Sequence, residues 1–310
     1  MFFSFYRVYE KAPNTCALQD HGNREVRANA RLKYLVHTLG VPAFKALVET
    51  YTGFELSQPA VLKEWRYSDW MGWHEAGDGS LFCGINVEQG RVIDRPEPEG
   101  IKLRSFLRAA IDDFGVGLIL SPTQSIVLEN VQPKDRVGIE LLMAKFNILA
   151  IEAVDPLTRL SMACPALPLC GLAVTEAERY LPTMLKRLRA VLDELDMADE
   201  EIMVRMTGCP NGCARPYMAE LAFVGDGKNS YQLYIGGSPV LTRTGFEYKE
   251  RCKVKTMEHT LEPLLVMWRD QRKDAYEAFG DFAFRLGQPK LAAFANTHVC
   301  KTTIDDRPFE

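Results

Sequence analysis

The sequence has no long apolar run, no internal repeat and no large excess of charge of either sign. No segment approaches the roughly 20 apolar residues that a membrane-spanning helix needs. The net charge of −4 gives no general attraction to nucleic acid or to an anionic membrane. The apolar start, from Met1 to Tyr6, is shorter than a signal-peptide core, so we expect a buried or frayed terminus. These absences predict a soluble protein whose partners include neither nucleic acid nor a membrane.

Length and composition are those of a globular protein with about two domains. Apolar residues make up 47% of the chain and charged residues 25%. Hydrophobic periodicity predicts helices over 24–39, 42–53, 103–114 and much of 257–294. Short apolar runs predict strands at 81–87, 91–93, 118–120, 125–128 and 201–206, and a hairpin turns at Asp226–Asn229. The predicted fold class is α+β, with mixed sheets and packed helices.

Two further features concern the middle of the chain. The polar segment at 132–136 predicts a boundary between one domain at 20–135 and a second at 136–300. A helical apolar pattern runs over 175–195, where Thr175 and Glu178 have the spacing of a capping box. Pro182 lies inside this pattern and predicts a break or a kink.

Four of the eight cysteines form two close pairs. Five residues separate Cys164 from Cys170, three separate Cys209 from Cys213, and both pairs lie in loops rich in proline and glycine. Because nothing indicates secretion, a metal site is more plausible than disulfides. From the residues alone, chance burial, a four-cysteine zinc site and a 4Fe–4S cluster all stay open, although the wider pair fits zinc less well. The other four cysteines are isolated and predicted to be inert: Cys16, Cys83, Cys252 and Cys300.

The second cysteine pair lies in a motif that is similar to one in the nitrite/sulfite reductase haemoproteins. The motif is Thr207-Gly208-Cys209-Pro210-Asn211-Gly212-Cys213, preceded by the wider pair. The segments at 21–24, 30–35, 72–79 and 121–125 also resemble the second half of these enzymes. The resemblance covers about 20–297. It implies part of a ferredoxin-like domain followed by a cluster-binding α/β domain.

The resemblance also implies cofactors and the residues that bind them. Cys164, Cys170, Cys209 and Cys213 would hold a 4Fe–4S cluster, and Cys213 would also bridge to the iron of sirohaem as the catalytic residue. Thr207 and Asn211 would line the sirohaem. We therefore expect the four sulfurs to converge, with raised thiol pKa values, and Cys213 to lie nearest an open hollow.

The subtype and partners are further expectations from the resemblance. Gly212 and the pair Ala214-Arg215 favour sulfite over nitrite as the substrate, and the segment 213–220 resembles the ferredoxin-dependent plant and cyanobacterial type. The implied activity is the six-electron reduction of sulfite to sulfide in assimilatory sulfur metabolism, with ferredoxin as donor. The expected location is the plastid stroma or the cytoplasm.

The sequence departs from the resembled family because its basic sulfite-binding motif, which belongs to the first half, is absent. We therefore expect a fragment or a half-enzyme that lacks the N-terminal half, with an exposed apolar face on the residues up to about 135. Nitrite stays open as the substrate. A stand-alone iron–sulfur electron-transfer or assembly protein without sulfite chemistry is the alternative function.

Overall fold

The computed structural model describes residues 20–23, 25–26, 29–56, 67–96 and 100–302. The chain forms two compact units, Met1–Trp65 and Arg66–Glu310. The apolar start and Cys16 lie outside the described residues. Within the described ranges, no helix is both long and apolar enough to cross a membrane.

In the described part of the first unit, residues 29–56 contain two short helices, α1 (Leu32–Leu39) and α2 (Val41–Thr52). Gly40, at φ 76°, separates them, and Gly53 ends α2 in the left-handed region with its N–H bonded to Glu49. The prediction for α2 is confirmed. The prediction of a helix from residue 24 is wrong for the described residues, because α1 begins only at Leu32. The Asn23 side chain accepts a hydrogen bond from the Val26 N–H at 3.2 Å and so competes with helix formation there.

A four-stranded antiparallel sheet opens the second unit. Its strands are β1 (Gly72–Glu75), β2 (Leu81–Ile85), β3 (Gly117–Leu120) and β4 (Ile126–Val131), in the order β1-β2-β4-β3. Two helices contribute to the core beside it, α3 (Leu103–Phe114) and α4 (Arg136–Lys145). Fully buried Phe106, Leu128, Val131 and Ile139 lie in this core.

A five-stranded mixed sheet follows. Its strands are β5 (Met162–Ala163), β6 (Val204–Thr207), β7 (Leu221–Gly227), β8 (Ser230–Ile235) and β9 (Phe246–Lys253), paired in sequence order. The first three run parallel, and the last three are antiparallel. The short helix α5 (Pro156–Arg159) precedes β5, while α6 (Leu181–Glu194), α7 (Met257–Gln271) and α8 (Phe279–Thr297) contribute to a second, larger core. The predicted hairpin is confirmed as β7–β8.

Three local predictions are wrong. Residues 91–93 form no strand and follow a 3₁₀ turn at Glu88–Gly90. The pattern over 175–195 becomes a helix only from Leu181, so Thr175 caps nothing, and its hydroxyl instead meets the Tyr231 hydroxyl at 3.4 Å. Pro182 lies in the first turn of α6, where its missing N–H has no intrahelical partner to lose, so it makes no kink.

The two sheets and their packed helices confirm the α+β fold class. Among its described residues, the second unit has two large hydrophobic cores, one built from residues within 83–148 and one from residues within 157–291, and a small third cluster of Met203, Ala219 and Ala222. The predicted boundary near residue 135 stays a prediction, since both cores belong to one compact unit. β3 lies at a sheet edge and exposes Leu118, Ile119 and Leu120, the last to 77%.

Candidate metal centre at the cysteine loops

The two cysteine pairs follow two neighbouring parallel strands. Cys164 comes directly after β5, and Gly208 and Cys209 come directly after β6. Met162 pairs with Arg205, and Ala163 pairs with Met206. Because parallel strands end at the same edge of a sheet, the two loops begin side by side. We call residues 164–175 the first cysteine loop and 208–215 the second cysteine loop.

Gly208 ties the two loops together. Its N–H donates to the Cys164 sulfur at 3.3 Å, and its carbonyl accepts from the Val174 N–H at 2.9 Å. A Cβ at this position would lie 2.7 Å from both the Ala166 Cβ and the Thr175 carbonyl oxygen. Glycine is therefore required by close packing and not by backbone conformation. An N–H directed at a cysteine sulfur is the kind of contact that tunes a metal-bound thiolate.

The pKa of the Cys164 thiol is influenced by burial, by two backbone N–H groups and by two of the other paired cysteines. Burial raises the pKa of the Cys164 thiol, the N–H groups of Gly208 and Ala166 lower it, and negative charge on Cys213 and Cys209 raises it further. Deprotonation of the Cys164 thiol is therefore unfavourable unless a cation balances the negative charge of the neighbouring thiolates. The expected rise in pKa is confirmed for Cys164.

Exposure differs among the four cysteines. Cys164 and Cys209 are each 8% exposed, Cys170 is half-buried and Cys213 is exposed. All four are free thiols, so neither pair forms a disulfide. Cys213 is therefore the member of the set that an external group reaches most easily.

The distances among the sulfurs bear on the kind of metal centre. Among the described residues, the group of three metal-ligating atoms within 4.8 Å of one another is Glu262, His298 and Cys300, which includes none of the four paired cysteines. Ligands of one zinc ion, each about 2.3 Å from the metal, would crowd more closely. The four paired cysteines are therefore not gathered as the ligands of a single zinc ion would be, and their expected convergence around a larger centre stays a prediction.

Thr207 is buried, whereas Asn211 is exposed to solvent. Thr207 ends β6, is 1% exposed, and its hydroxyl oxygen is buried without a hydrogen-bond partner. Asn211 is exposed in the second cysteine loop. The predicted role of both residues in lining a cofactor stays a prediction. A buried hydroxyl without a partner is uncommon and indicates that a further polar group belongs beside it.

The sequence analysis missed Arg205 and used Arg215, in the second cysteine loop, only as a mark of the subtype. Arg205, on β6, is 1% exposed, and it donates to the Arg215 carbonyl at 3.0 Å while its Nε has no partner. Burial lowers the pKa of Arg205 to about 10, and the neighbouring Arg215 acts in the same direction. Among the described residues, no carboxylate forms an ion pair with either guanidinium. The signal available in the sequence was a charged residue inside an otherwise apolar strand.

The β3–β4 turn also contacts the cysteine region. The Gln124 side chain exchanges two hydrogen bonds with the Ala163 backbone, donating at 2.7 Å and accepting at 3.2 Å. Arg215 donates to the Pro122 carbonyl at 2.7 Å. The amide of Gln124 thus pairs with the end of β5 much as a neighbouring strand would.

Comparison with known proteins finds relatives that are named sulfite reductases. No protein-family model matches the chain. A protein named sulfite reductase (ferredoxin) from Synechococcus elongatus is 45% identical over 280 residues, which is 90% of this chain and 44% of the relative. A protein named sulfite reductase (NADPH) hemoprotein beta-component from Chromohalobacter salexigens is 40% identical over 276 residues, 88% of this chain and 47% of the relative. The chain is homologous to sulfite reductases.

The solved structures support the fold of this sulfite reductase homologue. The NirA protein of Mycobacterium tuberculosis matches with a TM-score of 0.65 at 22% identity, over 91% of this chain and 53% of that chain. The chain spans about half the length of the curated sulfite reductases that it matches. One of the two curated relatives is named for ferredoxin and the other for NADPH. The relative that is named for ferredoxin has the higher sequence identity to this chain.

Proposed function

We propose that this chain is the cofactor-binding half of a ferredoxin-dependent sulfite reductase, which reduces sulfite to sulfide with six electrons. The observation that carries the proposal is the joining of the two cysteine loops at one sheet edge through Gly208 and Cys164. Homology to sulfite reductases over 90% of the chain supports the reaction class. The identity of the electron donor, the substrate and the plastid or cytoplasmic location are parts of this proposal.

The four paired cysteines are the proposed ligands of a 4Fe–4S cluster. In such a cluster each thiolate binds its own iron, so the sulfurs need not crowd around one point as they do at zinc. Two thiols are buried and one accepts from the Gly208 N–H, which fits a centre tuned by burial and hydrogen bonds. When bound, the cluster and a sirohaem would supply one-electron transfer.

Sirohaem is proposed to bind beside Cys213, with Thr207 and Asn211 lining it. The exposure of Cys213 leaves its sulfur available as a shared ligand. The buried Thr207 hydroxyl without a partner fits a cofactor edge that carries polar groups. Asn211 would contribute an amide from the exposed side of the same loop.

Arg205 and Arg215 are proposed to favour anions at this site. A buried guanidinium without a carboxylate partner is costly in isolation, and an anionic cofactor or substrate would offset that cost. Sulfite and the carboxylates of a tetrapyrrole are both anions. The two arginines would hold negative charge close to the electron-transfer path without themselves donating protons, because a guanidinium stays charged at neutral pH.

A complete enzyme is proposed to need a further half. The chain matches less than half of each curated relative described above. The edge strand β3 exposes three consecutive apolar side chains, Leu118, Ile119 and Leu120, which is unusual for an uncovered edge. We propose that a polypeptide equivalent to the unmatched half of these relatives covers this strand and supplies the basic residues that bind sulfite.

The test is anaerobic reconstitution of the full chain with iron, sulfide and sirohaem. We expect about four irons and four acid-labile sulfides per chain, and loss of both in Cys164→Ser and Cys209→Ser but not in Cys252→Ser. Cys252 is a buried free thiol away from the loops and serves as the matched control. Equal iron in all variants would contradict the ligand assignment.

The same samples separate the alternatives. A cluster that forms while sirohaem is not retained would favour a stand-alone electron-transfer or assembly protein. With sirohaem retained, activity is measured with reduced ferredoxin and either sulfite or nitrite, with and without a separately produced N-terminal half. We expect turnover of sulfite only when that half is added.

A further inference from the structure

Two segments of the second unit, α7 and the residues that follow α8, meet around one buried carboxylate far along the chain from the cysteine loops. Glu262, on α7, is 1% exposed. His298 directly follows α8, and Cys300 lies two residues further on. One ligand atom from each of these residues lies within 4.8 Å of the other two. The spacing brings an imidazole, a thiol and a carboxylate to one point.

Hydrogen bonds to both oxygens hold the Glu262 carboxylate in place. His298 Nε2 lies 2.9 Å from Glu262 Oε1, and the backbone N–H groups of Lys301 and Thr302 donate at 2.9 Å to Oε1 and Oε2, respectively. Cys300 Sγ donates to the His259 carbonyl at 3.5 Å, one turn before Glu262 on the same helix. Pinning the tail to α7 needs only the backbone donors. That simple role leaves the convergence of His298 and Cys300 on Glu262 unexplained.

We propose that Glu262, His298 and Cys300 bind one Zn²⁺ ion, with water as the fourth ligand. Thiolate, imidazole and carboxylate together are a donor set that suits zinc, whereas magnesium and calcium prefer oxygen alone. On binding, the Cys300 thiol releases its proton to solvent, and His298 exchanges its hydrogen bond to Glu262 for a bond to the metal. Glu262 Oε2 keeps its bond from Thr302, which orients the carboxylate.

The ion would fasten the segment after α8 to α7. The site uses none of the paired cysteines, so it stands or falls separately from the proposed sulfite chemistry. The bound ion would stabilise the folded chain, because any ligand that binds only the folded state adds to the free energy of unfolding.

The experiment measures Zn²⁺ binding to the full chain after chelator treatment, by competition with a chromophoric chelator. We expect His298→Ala and Cys300→Ser each to bind one zinc ion fewer per chain than the wild type, or to bind it at least tenfold more weakly. The matched controls are His37→Ala, which changes an exposed histidine on α1, and Cys252→Ser, which changes a thiol outside the group. Both should bind as the wild type does.

A second readout is local to the tail. Trypsin cleaves after Lys301, and Zn²⁺ should slow this cleavage several-fold in the wild type and in both controls but not in His298→Ala. Circular dichroism checks that each variant is folded. Unchanged zinc stoichiometry and affinity in both site variants, or cleavage after Lys301 that ignores Zn²⁺ in the wild type, would overturn the proposal.

Discussion

Replacing Arg187 by methionine would leave a buried carboxylate without its guanidinium partner. Arg187, on α6, forms a two-pronged ion pair with Glu258, on α7, and their side chains are only 6% and 5% exposed. Methionine keeps most of the side-chain volume but none of the charge. Breaking a pair at such depth costs about 3–5 kcal/mol, because the remaining charge stays desolvated. For a unit of this size, that corresponds to a fall in melting temperature of roughly 6–20 °C.

The measurement is urea and thermal unfolding followed by circular dichroism, with coincident transitions checked by fluorescence. Glu140→Ala is the matched control, since its pair with Arg136 is exposed and is worth less than about 0.5 kcal/mol. The double variant Arg187→Met/Glu258→Leu should recover most of the loss, because it removes both charges. If Arg187→Met costs no more than Glu140→Ala, the assignment of this pair to the core is wrong.

Three further perturbations address the cysteine region and the core. Gly208→Ala should lower the free energy of unfolding by about 1–3 kcal/mol and reduce iron incorporation, because its Cβ would lie 2.7 Å from two atoms of the first cysteine loop. Gly171→Ala is the control, since there is open space around Gly171, and it should change neither the unfolding nor the iron content. Burial raises the pKa of Glu220 from 4.5 to about 7, so between these pH values the folded chain holds a proton that the unfolded chain loses. The free energy of unfolding should therefore fall as the pH rises from about 4.5 through 7. Glu220→Gln should flatten that part of a plot of the urea midpoint against pH. Gln124→Ala should lower the free energy of unfolding in urea by about 1–3 kcal/mol, since two partly buried hydrogen bonds to β5 are lost. Replacement of the exposed Gln132 by alanine should change it very little.

Local patterns predicted the elements whose signals lie within a short stretch of chain. Helix α3 has its predicted bounds, because a strong apolar stripe ends at Gly115, which adopts the left-handed conformation at φ 67°. The β7–β8 hairpin follows from its turn residues in the same way. The prediction at 91–93 failed because Arg91 forms an ion pair with Glu178 and its backbone joins no sheet, a contact across 87 residues that periodicity does not encode.

The candidate site was only partly accessible from the sequence. The motif identified the four cysteines, but the parallel pairing of Met162 with Arg205, which sets the two loops side by side, joins strands 43 residues apart. Parallel strands have no turn between them to mark the pairing. The role of Gln124 was hidden for the same reason, since its amide contacts a strand 39 residues away.

The turn between β3 and β4 has a consequence for the order in which the protein is assembled. Gln124 is synthesised 39 residues before its partner Ala163, and Pro122 is synthesised 93 residues before Arg215. The first sheet can therefore form while the cysteine loops are still being made, and the loops then close against a surface that already exists. A truncated chain that begins after this turn would lose the surface against which the cysteine loops close.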